Sequence, residues 1–211
     1  MRTRHALLVA AAEQIDRHGY DGTSLVRVCR AAGISMGALT FHFPAKDKLA
    51  DALQEQGRSA TEAVVNQALA IPASPLRRAR ALVLAVARLL QTHTEVRAAA
   101  RLARERLDTD ADWAGSWLPP LRDLLEQAHA EGQLRTTADP ETVTVTAAYL
   151  IAGVDSHVRQ RAHAPDTGAP HLDAAGQLAR VWDLLLYGAA TAPPRPSTSR
   201  DEGTAGPTTA R

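Results

Sequence analysis

Cysteine is almost absent from this chain: Cys29 is the only one in 211 residues. A single thiol excludes an intramolecular disulfide and any cysteine-rich zinc site, and it fits a reducing compartment. Aromatic residues are also scarce, at 4%, so each tryptophan stands out. No apolar run approaches the roughly 18 residues that a membrane-spanning helix needs. The opening Met1-Arg-Thr-Arg-His leads into an alanine-rich stretch broken by Glu13, Gln14 and Asp16, unlike the apolar region of a signal peptide. Strand-like alternation is missing as well. A soluble, cytoplasmic protein with no membrane partner is expected.

What is present is enough for a packed core: hydrophobic residues make up 45% and charged residues 22%, ordinary for a globular chain and too apolar for a disordered one. The net charge of +1 hides an asymmetry. Residues 1–50 carry seven Lys/Arg against four Asp/Glu, which leaves seventeen against nineteen in the remainder. The basic excess therefore sits at the N-terminus.

Between glycine and proline marks the apolar period is helical throughout, so the fold class is all-α. Leu8, Ala11, Ala12 and Ile15 form a first stripe, Leu25, Val28, Cys29 and Ala32 a second, and Leu49 to Val64 a longer third. Thr92-His-Thr-Glu95 has the form of a capping box, which predicts a helix from there through Leu107. Asp139-Pro140 supplies an N-cap and a first-turn proline for a helix whose face is Val143, Ala147, Leu150, Ile151, Val154 and Val158. Leu178, Val181, Trp182 and Leu185 mark another helix, ended by Gly188. From Pro193 onward there is no large apolar residue to offset the entropy of ordering, which predicts a disordered tail over 193–211.

The most informative stretch runs from Thr23 to Phe43. Thr23 or Ser24 can cap a short helix, Gly33 supplies a permissive turn, Ser35 can cap a second helix, and Ile34 and Leu39 point inward. That arrangement leaves Ser35, Met36, Ala38, Thr40 and Phe41 facing outward. The second helix is short and contains Gly37, so its backbone can approach a DNA groove. Lys46 follows at the start of the long helix, where its ammonium and free amides can meet a phosphate.

Gly-Tyr-Asp-Gly-Thr-Ser, Ala-Gly-Ile-Ser, Gly-Ala-Leu, Phe-His-Phe and Lys-Asp-Lys-Leu, all within about the first fifty residues, resemble the TetR family in order and spacing. Phe41-His-Phe-Pro-Ala-Lys-Asp-Lys-Leu, together with Trp182-Asp-Leu-Leu-Leu-Tyr-Gly, resembles most its γ-butyrolactone receptor and pseudo-receptor branch. The resemblance implies a homodimeric, ligand-responsive repressor that binds palindromic double-stranded operator DNA and is released by a small apolar effector, a γ-butyrolactone or an antibiotic. Its implied organisation is a three-helix DNA-binding domain over 1–48 and a larger ligand-binding and dimerisation domain over 49–192. DNA contacts are expected from Ser24, Ser35, Met36, Gly37, Ala38, Thr40, Phe41, His42 and Lys46. Met36 and Thr40 stand where relatives often carry lysine and tyrosine. Altered or weaker binding is expected there, and a ligand-binding protein with weakened DNA readout is the nearest alternative.

Trp117, Trp113 and Leu121 are the expected ligand contacts. The two tryptophans share a face at i, i+4 if their helix is continuous, whereas Pro119-Pro120 in a first turn places Trp117 just outside it. Core packing is the competing role for both. Val154, Val158, Leu178, Val181, Trp182 and Leu185 are expected at a four-helix dimer interface. Gly33-Ile-Ser35-Met-Gly37 also fits a Gly-x-Ser-x-Gly nucleophile elbow, but that motif needs a strand before the serine and the preceding residues have helical spacing. No enzyme activity is expected, and no metal or cofactor, since the eight histidines form no His-x-x-x-His face; His157 and His163 lie on different faces. Cys29 falls on an apolar face and reads as a small buried hydrophobe.

Overall fold

Gly19, Gly22, Gly33, Pro44, Pro72 and Gly132 fall between helices, and Pro75, Pro119, Pro120 and Pro140 in first turns. The computed structural model describes residues 2–106, 112–162 and 173–189, and the elements among them are helical: α1 Arg2–His18, α2 Leu25–Ala32, α3 Met36–His42, α4 Lys46–Leu69, α5 Pro75–Thr92, α6 Thr94–Glu105, a 3-10 turn at Ala114–Ser116, α7 Leu118–Ala130, α8 Pro140–Ala162 and α9 Ala174–Ala189. Leu107, His163 and the expected tail over 193–211 lie outside the described residues.

Two apolar cores organise these helices. Leu7, Leu8, Ala11 and Ile15 of α1 close with Val28, Cys29, Leu39 and Phe43 over the first turns of α4, at Leu49, Ala50 and Leu53. The second core centres on α5, where residues on nearly every side are buried from Ala79 to Leu90, and it takes in α7, α8 and α9. Two helices serve both. Ala98 and Leu102 of α6 belong to the first core and Val96, Ala99 and Ala100 to the second, while α4 delivers Val65 and Ala68 to the second. Apolar residues on opposite sides of α4 and α6 thus fasten the N-terminal helices to the rest of the chain.

Two local expectations are corrected. Thr92 ends α5 and does not cap α6: its Oγ1 donates back to the Arg88 carbonyl at 2.7 Å, and the extended His93 precedes Thr94, the first residue of α6. A threonine hydroxyl has this i−4 carbonyl within reach whenever the preceding turn is helical, and buried Leu89 and Leu90 keep that turn wound. Gly188 lies within the last turn of α9 and does not end it. Asp139 does cap α8, accepting from the Thr142 N–H at 2.9 Å.

Candidate nucleic-acid interface and ligand cavity

The helix-turn-helix is assembled by local chemistry. The Ser24 hydroxyl accepts from the Arg27 N–H, and the Ser35 hydroxyl accepts from the Ala38 N–H, each at 3.3 Å, so both helices start on side-chain caps. Between them Gly33 adopts φ 64° and ψ 30°, a left-handed conformation that costs a side-chain-bearing residue about 1–2 kcal/mol. Ile34 and fully buried Leu39 fasten the turn and α3 to the first core. The outward side of α3 then presents Ser35, Met36, Gly37, Thr40 and Phe41, with Phe41 85% exposed, while Ala38 and His42 are half-buried. A nucleophile elbow needs a strand before Ser35, and α2 and the Gly33 turn stand there instead, with the Ser35 hydroxyl serving as a helix cap.

Lys46 opens α4, as expected, and its ammonium lies 4.0 Å from the centroid of the Tyr20 ring. The Tyr20 hydroxyl donates to Asp47, and the Arg106 guanidinium lies 5.2 Å from the centroid of the same Tyr20 ring. Tyr20 N–H also donates to Glu105 at 2.6 Å. Partial burial pushes the Glu105 carboxyl up, but the Tyr20 N–H, the hydrogen bond and charge of Arg101 and the charge of Arg104 outweigh it and hold the carboxyl below its ordinary value. Thr40 differs from the expectation in one respect: its hydroxyl donates to the Gly37 carbonyl at 3.1 Å, so its proton is engaged within α3.

The two tryptophans meet at a cavity. Trp117 stands just before α7, with Pro119 and Pro120 in the helix's first turn, so the second of the two arrangements expected for this pair holds. Their ring centroids are 6.0 Å apart. They border a cavity of about 170 Å³ closed by Leu118, Ile151, Arg104 and Asp155. Trp113 Nε1 donates to Thr61 Oγ1 of α4 at 2.9 Å, whereas Trp117 Nε1 is buried without a partner. Leu121 is a correction: it is fully buried in the second core one turn into α7, and Leu118 takes its place on the cavity wall. A larger hollow, about 320 Å³, lies between the start of α8 and the end of α9 beside Trp182 and Leu185, away from this pair.

The expected interface residues divide. Leu178 and Trp182 are covered by their own chain, Trp182 completely, and Val154 is buried among them. They are corrected to core residues, because Trp182 has no accessible surface and Val154 and Leu178 have little to give a second copy. Val158 is half-buried against the same core. Val181 and Leu185 do face outward, joined by Leu184 at 74% exposed and by Tyr149 and Val145 of α8.

Residues 7–53 match the family described as bacterial regulatory proteins, tetR family. Residues 7–53 thus carry the N-terminal domain of the TetR family. The N-terminal helices of the chain are those that the match spans. The A-factor receptor protein of Streptomyces griseus is 27% identical over 188 residues, 88% of this chain and 63% of that receptor's length. Among solved structures, a γ-butyrolactone receptor described as ArpA-like is 26% identical with a TM-score of 0.73, covering 90% of this chain and 88% of its own. The TetR-family protein CprB of Streptomyces coelicolor, solved with its operator, is 26% identical with a TM-score of 0.69, over 90% and 89%.

Several residues of this chain were not singled out by sequence for a role of their own: Tyr20 beside Lys46, Arg4 with its guanidinium 5.3 Å from the Phe43 ring, and Arg104 and Asp155 at the cavity. Asp155 and Arg159 had a readable signal, their i, i+4 spacing of opposite charges on a helix. Among the described residues no group of three or more potential metal ligands occurs, and no helix is long and apolar enough to cross a membrane.

Proposed function

We propose that this chain is a ligand-responsive transcriptional repressor that binds palindromic operator DNA as a homodimer and is released when a small apolar effector enters the cavity at Trp113 and Trp117. The observation that carries this reading is the pair of serine-capped helices hinged at Gly33, with the outer side of α3 exposed and Lys46 beside it. One α3 reads too few bases to be selective, so two copies are needed, and the exposed apolar strip of Tyr149, Val181, Leu184 and Leu185 is the surface on which they pair. The relatives described as γ-butyrolactone receptors support a γ-butyrolactone, or an antibiotic, as the effector class. A weaker DNA readout is favoured by the Thr40 proton, which is engaged on Gly37 and has to be released before it can reach a phosphate.

Genomic fragments that co-purify with the protein supply the operator for a binding titration between about 50 and 200 mM salt. Affinity is expected to fall steeply, and Lys46→Ala is expected to lower the slope of log K against log salt by about one. Salt-independent binding, or no binding to any fragment, overturns the repressor reading. A γ-butyrolactone followed by tryptophan fluorescence should bind less tightly in the presence of operator, by the same factor by which it weakens DNA binding.

A further inference from the structure

The tryptophan cavity ends in charges that do not stop at its wall. Arg104 Nη2 donates to Asp155 Oδ2 at 2.5 Å, and Arg159 Nη2 donates to both oxygens of Asp155 at 2.6 Å. Arg159 Nη1 then reaches Asp16 Oδ1 of α1, also at 2.6 Å, and the other Asp16 oxygen accepts from Arg97 Nε at 2.9 Å. Five charges of alternating sign therefore run from the cavity to the helix that carries the DNA-binding unit. Asp16 is 1% exposed and the Asp155 side chain 3%. A buried ion pair is often no more stabilising than an apolar pair of equal volume, so stability alone gives no reason for this chain.

The polar capacity of the cavity is also one-sided. Both Asp155 oxygens are occupied, and the Oδ1 of Asp112, which also borders the cavity, accepts from the Ala114 N–H. Among the described residues Asp112 keeps its Oδ2 open at the exposed rim, and the surplus of donors lies at Arg104 and Trp117. Arg104 is half exposed and its only side-chain hydrogen bond among the described residues is the one to Asp155, while the Trp117 Nε1 is buried with no partner. A guanidinium with spare N–H groups and an orphan indole N–H both require acceptors.

We propose that the cavity selects molecules with an apolar body and an acceptor head, a carbonyl or carboxylate, which draws Arg104 from Asp155, and that Asp155, Arg159 and Asp16 pass the change to α1. This rests on the cavity being the effector site. With Arg104 drawn away, Arg159 is the remaining counter-charge of Asp155 and shifts toward it. Its hold on Asp16 weakens, and α1, which packs on α2 and α3, is loosened. A ligand can bias this equilibrium only by the difference in its affinity for the two arrangements. Arg104 supplies that difference.

The relay is tested first without ligand, by amide hydrogen exchange on the full chain. Asp155→Asn and Arg159→Met are expected to speed exchange in residues 12–18 by about tenfold while amides of α5 and α7 keep their protection. Arg159→Lys should restore part of it. Unchanged exchange in α1, or a uniform rise throughout the chain, overturns the relay. Head-group choice is tested with decanoate and decylamine, which share an apolar body. Wild type should bind decanoate at least about tenfold more tightly, and Arg104→Met should erase the preference. A preference for the amine, binding of neither probe, or an unaltered preference in Arg104→Met overturns the acceptor selectivity. Operator binding and lactone release are scored separately, so failure of the repressor reading is distinguishable from failure of the relay.

Discussion

Arg97→Met is expected to lower stability by about 3 kcal/mol, near the bottom of the range for removing one partner of a buried ion pair, and to lower Tm by roughly 6–12 °C for a chain of this size. Asp16 is 1% exposed and Arg97 8%, so neither group can fall back on water when the other is lost. Arg159 still reaches Asp16, which keeps the loss from the top of the range. Arg97 does more than neutralise charge: Nη1 donates to the Leu90 carbonyl at 3.0 Å and Nη2 to Thr94 Oγ1 at 2.9 Å, which ties the end of α5 to the start of α6. Lysine cannot reproduce three bonds that leave a planar fork in fixed directions, so Arg97→Lys should recover little. Adding Asp16→Asn to Arg97→Met lowers the buried negative charge, which Arg159 alone neutralises once Arg97 is lost, and should regain part of the loss in thermal unfolding. A double variant as unstable as the sum of its parts would show that the hydrogen bonds, and not the ion pair, carry the effect.

How much of this was legible in the sequence follows the range of each interaction. Serine caps at positions 24 and 35 and the Gly33 turn act over three residues or fewer, and all three are where sequence patterning places them. The Asp16–Arg97 and Asp16–Arg159 pairs join residues 81 and 143 positions apart, and no periodicity reports such a meeting. In α9 the difficulty is different. Leu178, Trp182 and Leu186 turn inward while Val181, Leu184 and Leu185 turn outward, so the helix is apolar around most of its circumference. Period 3.6 identifies such a helix but does not say which arc meets its own core. Leu121 was misplaced for a related reason: it shares a helix with the cavity wall, but the first-turn prolines start α7 at Leu118, and Leu121 then falls one turn deeper, within the core.

Gly57→Ala is expected to change both stability and DNA binding, because α4 and α6 touch backbone to backbone there. A Cβ at position 57 would lie 2.3 Å from the Ala99 Cβ and 3.2 Å from the Glu95 carbonyl oxygen, against the roughly 3.5–4.0 Å of an ordinary carbon contact. Neither neighbour is the end of a flexible side chain. The helices must therefore separate by about 1 Å or more, a cost of the overpacking kind of about 1–3 kcal/mol, offset by at most about 1 kcal/mol from the better helix propensity of alanine. Separation also has a direction. One end of α4 opens with Lys46 and carries Leu49 and Leu53 into the first core, while Thr61, one turn beyond Gly57, holds the indole N–H of Trp113. Pushing α4 off α6 therefore tilts the helix between the cavity and α3, and a dimer whose recognition helices change separation cannot engage two half-sites of fixed spacing, roughly 34 Å apart. Operator affinity of folded Gly57→Ala protein should drop at least about tenfold, equivalent to about 1.4 kcal/mol, with the salt slope nearly unchanged because no phosphate contact is deleted. The compensating variant Gly57→Ala/Ala99→Gly moves the methyl group from α6 to α4 and should restore Tm and affinity together. If it restores Tm while affinity stays low, α4 is not the element that sets half-site spacing, and the link from cavity to DNA runs through α1 alone.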